Sequence, residues 1–451
     1  MTSPLLEPED CRRLFDRVLG AAAKRGVRDV EVLVGGHATA LTRFANNTIH
    51  QNVAEADHYV SVRPVMDQRT ARATTNRLDD EAIEAVVAEA VALAAAEQPD
   101  PELPPLAEPF EVPAVDRYFA ATAQCAAAGR ADYVHRAIAI ARASSQAAAG
   151  ICSTTETVEA LLNSNGAFAW HRQTMARFSI TAMTDDSSGW AKASSPDLAR
   201  IDPELLARRA AEKASLSRHP RELPAGRYLV ILEPAAVLDV LGALFPDFGA
   251  TAVHDGRSFL GGRLGAKIFG DNITIHDDVY DPLQDGAPFD GEGVPRRRLT
   301  LVERGVPAEL AYSRRMARRA GVPPTGHGFP LPNELGEAPE DIVIAGGETP
   351  LEEMIASTRR GILVTRLWYI REVDPYEKIM TGMTRDGAFL IKNGEITCGL
   401  RNFRFNQSLI EMLSNVKALS PSVRASGEEA IDMVVPAMKV RDFRFSEVTR
   451  Y

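Results

Sequence analysis

The sequence predicts an α+β protein in two parts. These are an N-terminal α/β domain at residues 1–220 and a C-terminal domain at residues 221–451 built on a large, twisted, mostly antiparallel β-sheet. A chain of 451 residues is longer than one hydrophobic core usually supports, which favours two or three domains. In the first hundred residues, one segment with helical periodicity comes first and another comes last. Between them lie segments in which apolar and polar residues alternate, as they do in strands, and this order is typical of an α+β layer. Short β segments dominate after residue 227, so the main boundary is placed near residues 217–224.

The N-terminal part begins with a helix predicted at residues 9–24, where Cys11, Leu14 and Val18 recur on one face. Asn46 and Asn47 separate two strand-like segments, and asparagine tolerates the positive φ that a tight hairpin needs. The other elements predicted here are strands at 29–34, 40–44, 49–53, 59–65, 71–75, 152–162, 167–174, 176–184 and 188–194, and helices at 79–97, 129–148 and 203–214.

A proline-rich connector lies within this part, at residues 99–113, with six prolines among acidic residues. Proline lacks the N–H that a helix or an inner strand requires, so the segment is predicted to be extended. Its polar composition favours an open linker over a strap bound to the protein surface.

In the C-terminal part the clearest local signal is Asn393-Gly394, a hairpin turn between strands predicted at 388–391 and 395–399. The other predicted strands are at 228–232, 273–276, 298–303, 341–345 and 361–370.

Charge and composition exclude several classes of protein. The net charge of −10 argues against nucleic-acid binding, which depends on a basic surface. The most apolar window, residues 88–96, is too short to span a bilayer, and the N-terminus lacks a secretory pattern. The four cysteines are far apart, as expected of free thiols in a reducing compartment. We therefore expect a cytoplasmic protein with no nucleic-acid or membrane partner.

Familiar catalytic motifs are missing from the sequence, so no catalytic residue is assigned. It has no phosphate-binding GxxxxGK[ST] loop, no GxGxxG after a strand and no GxSxG elbow. None of the nine histidines is followed by glutamate, so a helix offering two histidine ligands and a glutamate base cannot be built. No metal ligand or cofactor is assigned to this chain.

Weaker candidates remain at three histidine and aspartate positions. His254 and Asp255 precede Gly256 in a polar loop, where a histidine beside an aspartate is a candidate proton carrier. His276 lies in an acidic stretch whose carboxylates and imidazole are ligand types for a hard or borderline cation. For His254 and Asp255 the favoured interpretation is a hydrogen-bonded pair on the surface. For His276 and its acidic neighbours it is a solvated strand end. The members of the acidic stretch are Asp271, His276, Asp277, Asp278 and Asp281.

A basic helix face is predicted at Arg314, Arg315, Arg318 and Arg319, because these arginines are spaced at i, i+1, i+4 and i+5. Such a face could dock an acidic partner or a peptide carboxylate, but a solvated face is favoured.

Four segments, in order, resemble the TldD/TldE (PmbA, modulator of DNA gyrase) family. They are the hairpin at 43–51 (RFANNTIHQ), the turn at 162–166 (LNSNG), the segment 289–297 (FDGEGVPRR) with the strand after it, and the stretch from 361–366 (GILVTR) to 384–395 (TRDGAFLIKNGE). Each motif alone is weak evidence, but the four occur in the order found in the family and together span most of the chain. The resemblance implies a two-domain fold and a dimer that encloses a cavity.

The resemblance also implies a division of labour within that family. A TldD subunit carries zinc on an HExxxH helix together with a C-terminal cysteine and cleaves unfolded peptides, while TldE lacks the ligands and completes the chamber. After Leu232-Glu233-Pro234, where the motif would stand, this chain reads AAVLDVLGALFPD, and no cysteine follows Cys398. The chain therefore resembles TldE.

The leading hypothesis is a TldE-like subunit without zinc in a metallopeptidase complex. It would close the chamber and bind extended peptide by β-augmentation, with zinc in a TldD-like HExxxH partner. The partner would make a heterodimer, or a second copy a homodimer. The alternatives are an independent homodimeric enzyme with a non-standard site at His254 or His276, and a non-catalytic regulatory or binding protein.

Overall fold

The computed structural model describes residues 5–449, and its α+β architecture confirms the predicted fold class. The helices are α1 Pro8–Ala23, α2 Asp80–Ala96, α3 Ala120–Ala123, α4 Ala127–Ala143, α5 Pro203–Leu216, α6 Pro234–Leu241, α7 Ala250–His254, α8 Arg314–Ala320, α9 Leu351–Ala356 and α10 Leu409–Ser414. Two 3₁₀ segments, Leu198–Arg200 and Gly242–Phe248, accompany them. None of these helices, within residues 5–449, combines the length and apolar character that crossing a membrane requires.

The strands form three sheets. They are β1 Asp29–Ala45, β2 Thr48–Met66, β3 Arg69–Thr70, β4 Ala73–Thr75, β5 Ala147–Asn163, β6 Phe168–Met183, β7 Ser188–Ser195, β8 Gly226–Leu232, β9 Ile275–Asp277, β10 Leu299–Glu303, β11 Val306–Pro307, β12 Ile342–Ile344, β13 Arg360–Asp374, β14 Ile379–Lys392, β15 Glu395–Gly399, β16 Phe403–Ser408, β17 Val416–Leu419, β18 Val423–Ala425, β19 Met433–Val435 and β20 Met438–Val448.

The first sheet has the order β3-β2-β1-β5-β6-β7, with β4 paired to β2. Its alternating apolar residues pack beneath helices on one face only. Two core clusters result, one under α1 and α2 and one under α4 and α5. The opposite face carries Glu31, Leu33 and Glu159 and turns toward the second half of the chain.

The hairpin turn that was predicted within this sheet is confirmed. Asn46 and Asn47 have φ of 49° and 61° and join β1 to β2. The two strands predicted at 167–174 and 176–184 are instead the single strand β6, because its pairing with β5 continues through residue 175 without a break.

The second half contains two sheets. One has the order β11-β10-β9-β12-β19-β18, and the other has the order β13-β8-β20-β16-β14-β15, with β17 on β20. Because β13 also pairs with β14, five of these strands form a closed ring. Its apolar side chains belong to the largest core of the molecule. The change from the first sheet to these two falls between β7 and β8, and a division into separately folding domains at residue 220 stays a prediction.

The proline-rich connector is a bound strap, so the preference for an open linker was wrong. Asp100 pairs with Arg315, Glu102 pairs with Arg319, and Arg314 donates from Nη1 to the Pro105 carbonyl at 2.6 Å. The predicted solvated face of α8 was therefore also wrong at Arg314 and Arg315, which are half-buried against the strap, whereas Arg319 stays exposed. Opposite charges more than two hundred residues apart in sequence meet here, which composition alone could not reveal.

A buried ion triad joins the first sheet to the second half. Arg63 donates from Nε and Nη2 to both carboxylate oxygens of Glu31, at 2.9 and 2.8 Å. Arg72 donates to the same carboxylate at 2.8 Å and, from Nε, to the Leu331 carbonyl at 2.8 Å. Burial alone would raise the pKa of Glu31, but the charges and hydrogen bonds of Arg63 and Arg72 hold that pKa below its usual value.

We expect Glu31→Gln to lower the free energy of unfolding by about 3–5 kcal/mol, because it leaves buried Arg63 without its counter-charge. Urea denaturation at neutral pH measures this change. The matched control is Glu55→Gln on the exposed part of β2, expected to lie within about 0.5 kcal/mol of the wild type. Equal losses in the two variants would contradict the prediction.

Candidate functional site

A cleft of about 700 Å³ lies between the uncovered face of the first sheet and loops of the second half. Strands β1, β2, β5, β6 and β7 supply one wall, and segments around residues 285–296, 328–330, 340–341 and 427–432 supply the other. Its charged lining residues are Glu159, Arg177, Lys192, Asp285, Asp290, Arg296, Glu340, Asp341, Glu428 and Asp432.

The segment at residues 289–297 is held by one buried carboxylate. Asp290 accepts from the backbone N–H groups of Glu292 and Val294 at 3.0 and 2.8 Å, and from that of Gly328 at 2.7 Å. Gly291 lies so close to Pro330 that a Cβ there would stand 2.4 Å from its Cδ. These contacts bring residues 289–291 and 328–330 together at the cleft wall.

Glu292 is buried behind this wall. Its Oε2 accepts from the backbone N–H of Arg314 at 2.6 Å, and Gly328 packs against the side chain. Burial, with the nearby charge of Asp290, raises the pKa of Glu292 to about 8. The folded protein therefore favours the protonated carboxyl at neutral pH.

A second buried group positions residues 340 and 341. Asp277 Oδ1 lies 2.9 Å from His327 Nε2, and its Oδ2 accepts from the backbone N–H groups of Glu340 and Asp341 at 2.7 and 2.9 Å. Burial raises the pKa of Asp341 well above its usual value even though Arg296 lies nearby. The cleft thus contains carboxyl groups in environments that disfavour their charge.

Each of the three cations that line the cleft already has a carboxylate partner. Arg177 pairs with Asp432 at 3.2 Å, Lys192 with Glu428 at 3.3 Å, and Arg296 with Glu340 at 2.7 Å. The first two pairs join the first sheet to the segment at 427–432, so they also fix the width of the cleft.

Helix α6 borders the same region and connects to the cleft through Asp239. The Asp239 Oδ1 accepts from the backbone N–H groups of Glu428 and Glu429, each at 3.0 Å. Burial raises the pKa of Asp239 to about 6. The other residues of the helix are apolar, and those from Ala236 to Leu241 are buried in the core.

The residues present do not fit a zinc site. Helix α6 offers no histidine, and Asp239 is used to hold the 428–429 backbone. Within residues 5–449, no group of three or more His, Cys, Asp or Glu side chains is arranged to hold a metal ion. A zinc site requires three or four such donors at one point, and the described residues do not bring them together.

The site residues predicted from sequence lie elsewhere. His254 is exposed at the end of α7, and Asp255 pairs with Arg257 at 3.0 Å. His276 is half-buried on β9, where burial and the charge of Arg298 lower its pKa, and its Nδ1 has no hydrogen-bond partner in the described part of the chain. None of the three is among the described residues that line the cleft. Their functional role stays a prediction.

Sequence reasoning singled out the segment 289–297, part of which lines the cleft, but missed the charged strand residues that line the opposite wall. Glu159, Arg177 and Lys192 each lie within a strand, where an ionised side chain is unusual unless that face is open or paired. A charged residue inside a predicted strand was therefore the sequence signal that could have pointed to this wall of the cleft. It could not reveal the partners, because Glu428 and Asp432 lie more than two hundred residues further along the chain.

Three family models match this sequence in order. The PmbA/TldA metallopeptidase domain 1 matches residues 30–94, the central domain matches residues 126–218, and the C-terminal domain matches residues 225–447. Together they cover most of the chain.

Individual relatives agree with these matches. A metalloprotease of Methanothermobacter thermautotrophicus is 28% identical over 302 residues, which span 61% of this chain and 64% of that protein. A metalloprotease PmbA homologue of Haemophilus influenzae is 23% identical over 396 residues, or 81% of this chain and 82% of that protein. The crystal structure of TldE from Thermococcus kodakarensis superposes with a TM-score of 0.87 at 20% identity, over 96% of this chain and all of that one. At that identity the structural likeness establishes the fold alone.

Glu292 gives the wall of the cleft a testable pH dependence. Its pKa is raised in the folded state, so its contribution to stability is present below the unfolded pKa and is lost as pH rises through about 8. We expect Glu292→Gln, which stays neutral, to gain stability relative to the wild type as pH rises from about 5 to 8, by up to about 1.4 kcal/mol per pH unit. Urea denaturation across this range measures the difference. Exposed Glu334→Gln is the control, and a difference for Glu292→Gln that does not change with pH would contradict the assignment.

Proposed function

The chain belongs to the PmbA/TldD metallopeptidase family, and from that premise we propose that it is the TldE-like subunit of a cytoplasmic TldD/TldE-type peptidase complex. In this role it lacks zinc of its own, closes the reaction chamber and binds unfolded peptide. The chemistry of the complex then belongs to a partner subunit that carries HExxxH.

The observation that carries this proposal is the composition of α6 and its surroundings. Residues 235–247 read AAVLDVLGALFPD, and Asp239, their one carboxylate before Asp247, holds the backbone at residues 428–429. These side chains pack in the core or position a loop, and none is placed to carry out catalysis. In a family of metalloprotease homologues, this favours a subunit that supports catalysis by another chain.

The cleft supports peptide binding because it continues into a second groove. That groove, of about 530 Å³, has apolar lining from Phe245, Ile342 and Met433, and it shares Phe329 and Ile431 with the cleft. A polar cleft continuous with an apolar groove suits an extended chain with mixed side chains. In the proposed complex this chain binds and orients the peptide and excludes water, while hydrolysis takes place on the partner subunit.

We expect co-expression with an HExxxH-containing relative to yield a complex of both chains, with zinc bound in proportion to the partner. Native mass spectrometry and elemental analysis measure its composition, and cleavage of an unfolded peptide measures its activity. This chain alone should bind no stoichiometric zinc and cleave no peptide.

The matched control replaces the HExxxH glutamate of the partner with glutamine, which should abolish cleavage while leaving assembly intact. A homodimer of this chain that cleaves peptide without the partner would contradict the proposal and favour an independent enzyme. Failure of the two chains to associate would contradict it as well.

A further inference from the structure

Three residues on neighbouring strands form a row that faces the cleft. Gly35 on β1 lies directly opposite Tyr59 on β2 and Glu159 on β5. Residues directly opposite in antiparallel strands share one face of the sheet. The Tyr59 ring lies across Gly35, since a Cβ at that position would stand 2.2 Å from the ring. Glycine therefore lets the aromatic ring lie beside Glu159, and Tyr59 as a residue is 45% exposed.

Glu159 differs from the other carboxylates that line the cleft. Within residues 5–449 it has neither a hydrogen bond nor an ion pair, and its side chain is open to the cleft. Arg296 is the cation that acts on it, but that guanidinium is already bound by Glu340 and Asp341. Enclosure in the cleft raises the pKa of Glu159 despite Arg296, and the charges of Glu340 and Asp285 add to the rise.

The residue on the other side of Glu159 does not supply a positive charge. His171 on β6 lies directly opposite Glu159 and is buried. Burial lowers the pKa of His171 to about 4, so it is uncharged at neutral pH. Glu159 thus lacks a counter-charge on its own sheet.

The cleft as a whole is acidic. Seven carboxyl side chains line it against three cations, and those three cations are engaged. A cation entering the cleft therefore meets more carboxyl than cationic side chains, and among the described residues Glu159 is the carboxyl group there that has no bonded partner.

We propose that Glu159 and Tyr59 form a subsite for the primary ammonium group of a peptide, either a lysine side chain or a free amino terminus. This inference rests on the proposed peptide-binding function. A carboxylate accepts charge-assisted hydrogen bonds from an ammonium group, and an aromatic face within reach adds a cation–π attraction. Both effects are stronger in an enclosed site than in bulk water.

The test uses the full chain and short synthetic peptides of alanine, serine and glutamine with a label at the carboxyl end. One is acetylated and carries one lysine, a second carries acetyl-lysine instead, and a third has a free amino terminus and no lysine. Fluorescence anisotropy at neutral pH measures their dissociation constants. We expect at least one ammonium-bearing peptide to bind about tenfold more tightly than the fully acetylated one. The two ammonium-bearing peptides distinguish the lysine side chain from the terminus.

Glu159→Gln should remove this preference while leaving the affinity for the acetylated peptide unchanged. Tyr59→Phe keeps the aromatic face and should retain the preference, whereas Tyr59→Leu should reduce it by about threefold. Glu55→Gln, on β2 outside the cleft, removes the same charge from the same sheet and should have no effect. Thermal unfolding verifies that each variant is folded.

Equal affinity of the wild type for charged and acetylated peptides would overturn the ammonium subsite while leaving peptide binding intact. A preference that survives Glu159→Gln would also overturn it. Failure of every peptide to bind would contradict the peptide-binding function itself, and the subsite with it.

Discussion

The arrangement of the whole molecule depends on a buried ion cluster around Arg424 and Asp432. Arg424, on β18, donates to Ser194 of β7 at 3.0 Å, to the Leu283 carbonyl at 3.0 Å and to Asp285 at 2.9 Å. Asp432 accepts from both Arg424 and Arg177, each at 3.2 Å. Burial would raise the pKa of Asp432, but the two guanidinium groups lower it. Arg424 and Asp432, both in the second half, each bond to a residue of the first sheet, so these groups hold the two halves in one register.

The cleft is a consequence of how the first sheet is covered. Its apolar face is filled by α1, α2, α4 and α5, which leaves a face with charged residues such as Glu31 and Glu159. Charged groups are costly to bury without partners, so this face meets the second half through ion pairs that border a polar cleft. A small apolar cluster that includes Leu161 and Phe289 also joins the two.

The family to which this chain belongs does not by itself decide which chemistry its own residues can perform. The fold is shared with TldE of Thermococcus kodakarensis, and the sequence relatives carry the name metalloprotease. The chemistry of this chain is found in its own residues, where α6 has apolar side chains and Asp239 holds a loop. The proposed supporting role follows from those side chains, since a shared fold does not by itself imply a shared reaction.

The sequence by itself determined the features that depend on neighbouring residues. Periodicity located α1 and α2, and the Asn46-Asn47 and Asn393-Gly394 pairs located two hairpins. The tertiary structure alone decided which distant charges meet. It paired Asp100 with Arg315, which made the connector a strap. It also placed Arg296 between Glu340 and Asp341, which left Glu159 without an ion-pair partner among residues 5–449. The physical reason is the distance along the chain over which each effect acts. Backbone and turn preferences depend on residues a few positions apart, whereas ion pairing and burial depend on which strands become neighbours in the fold.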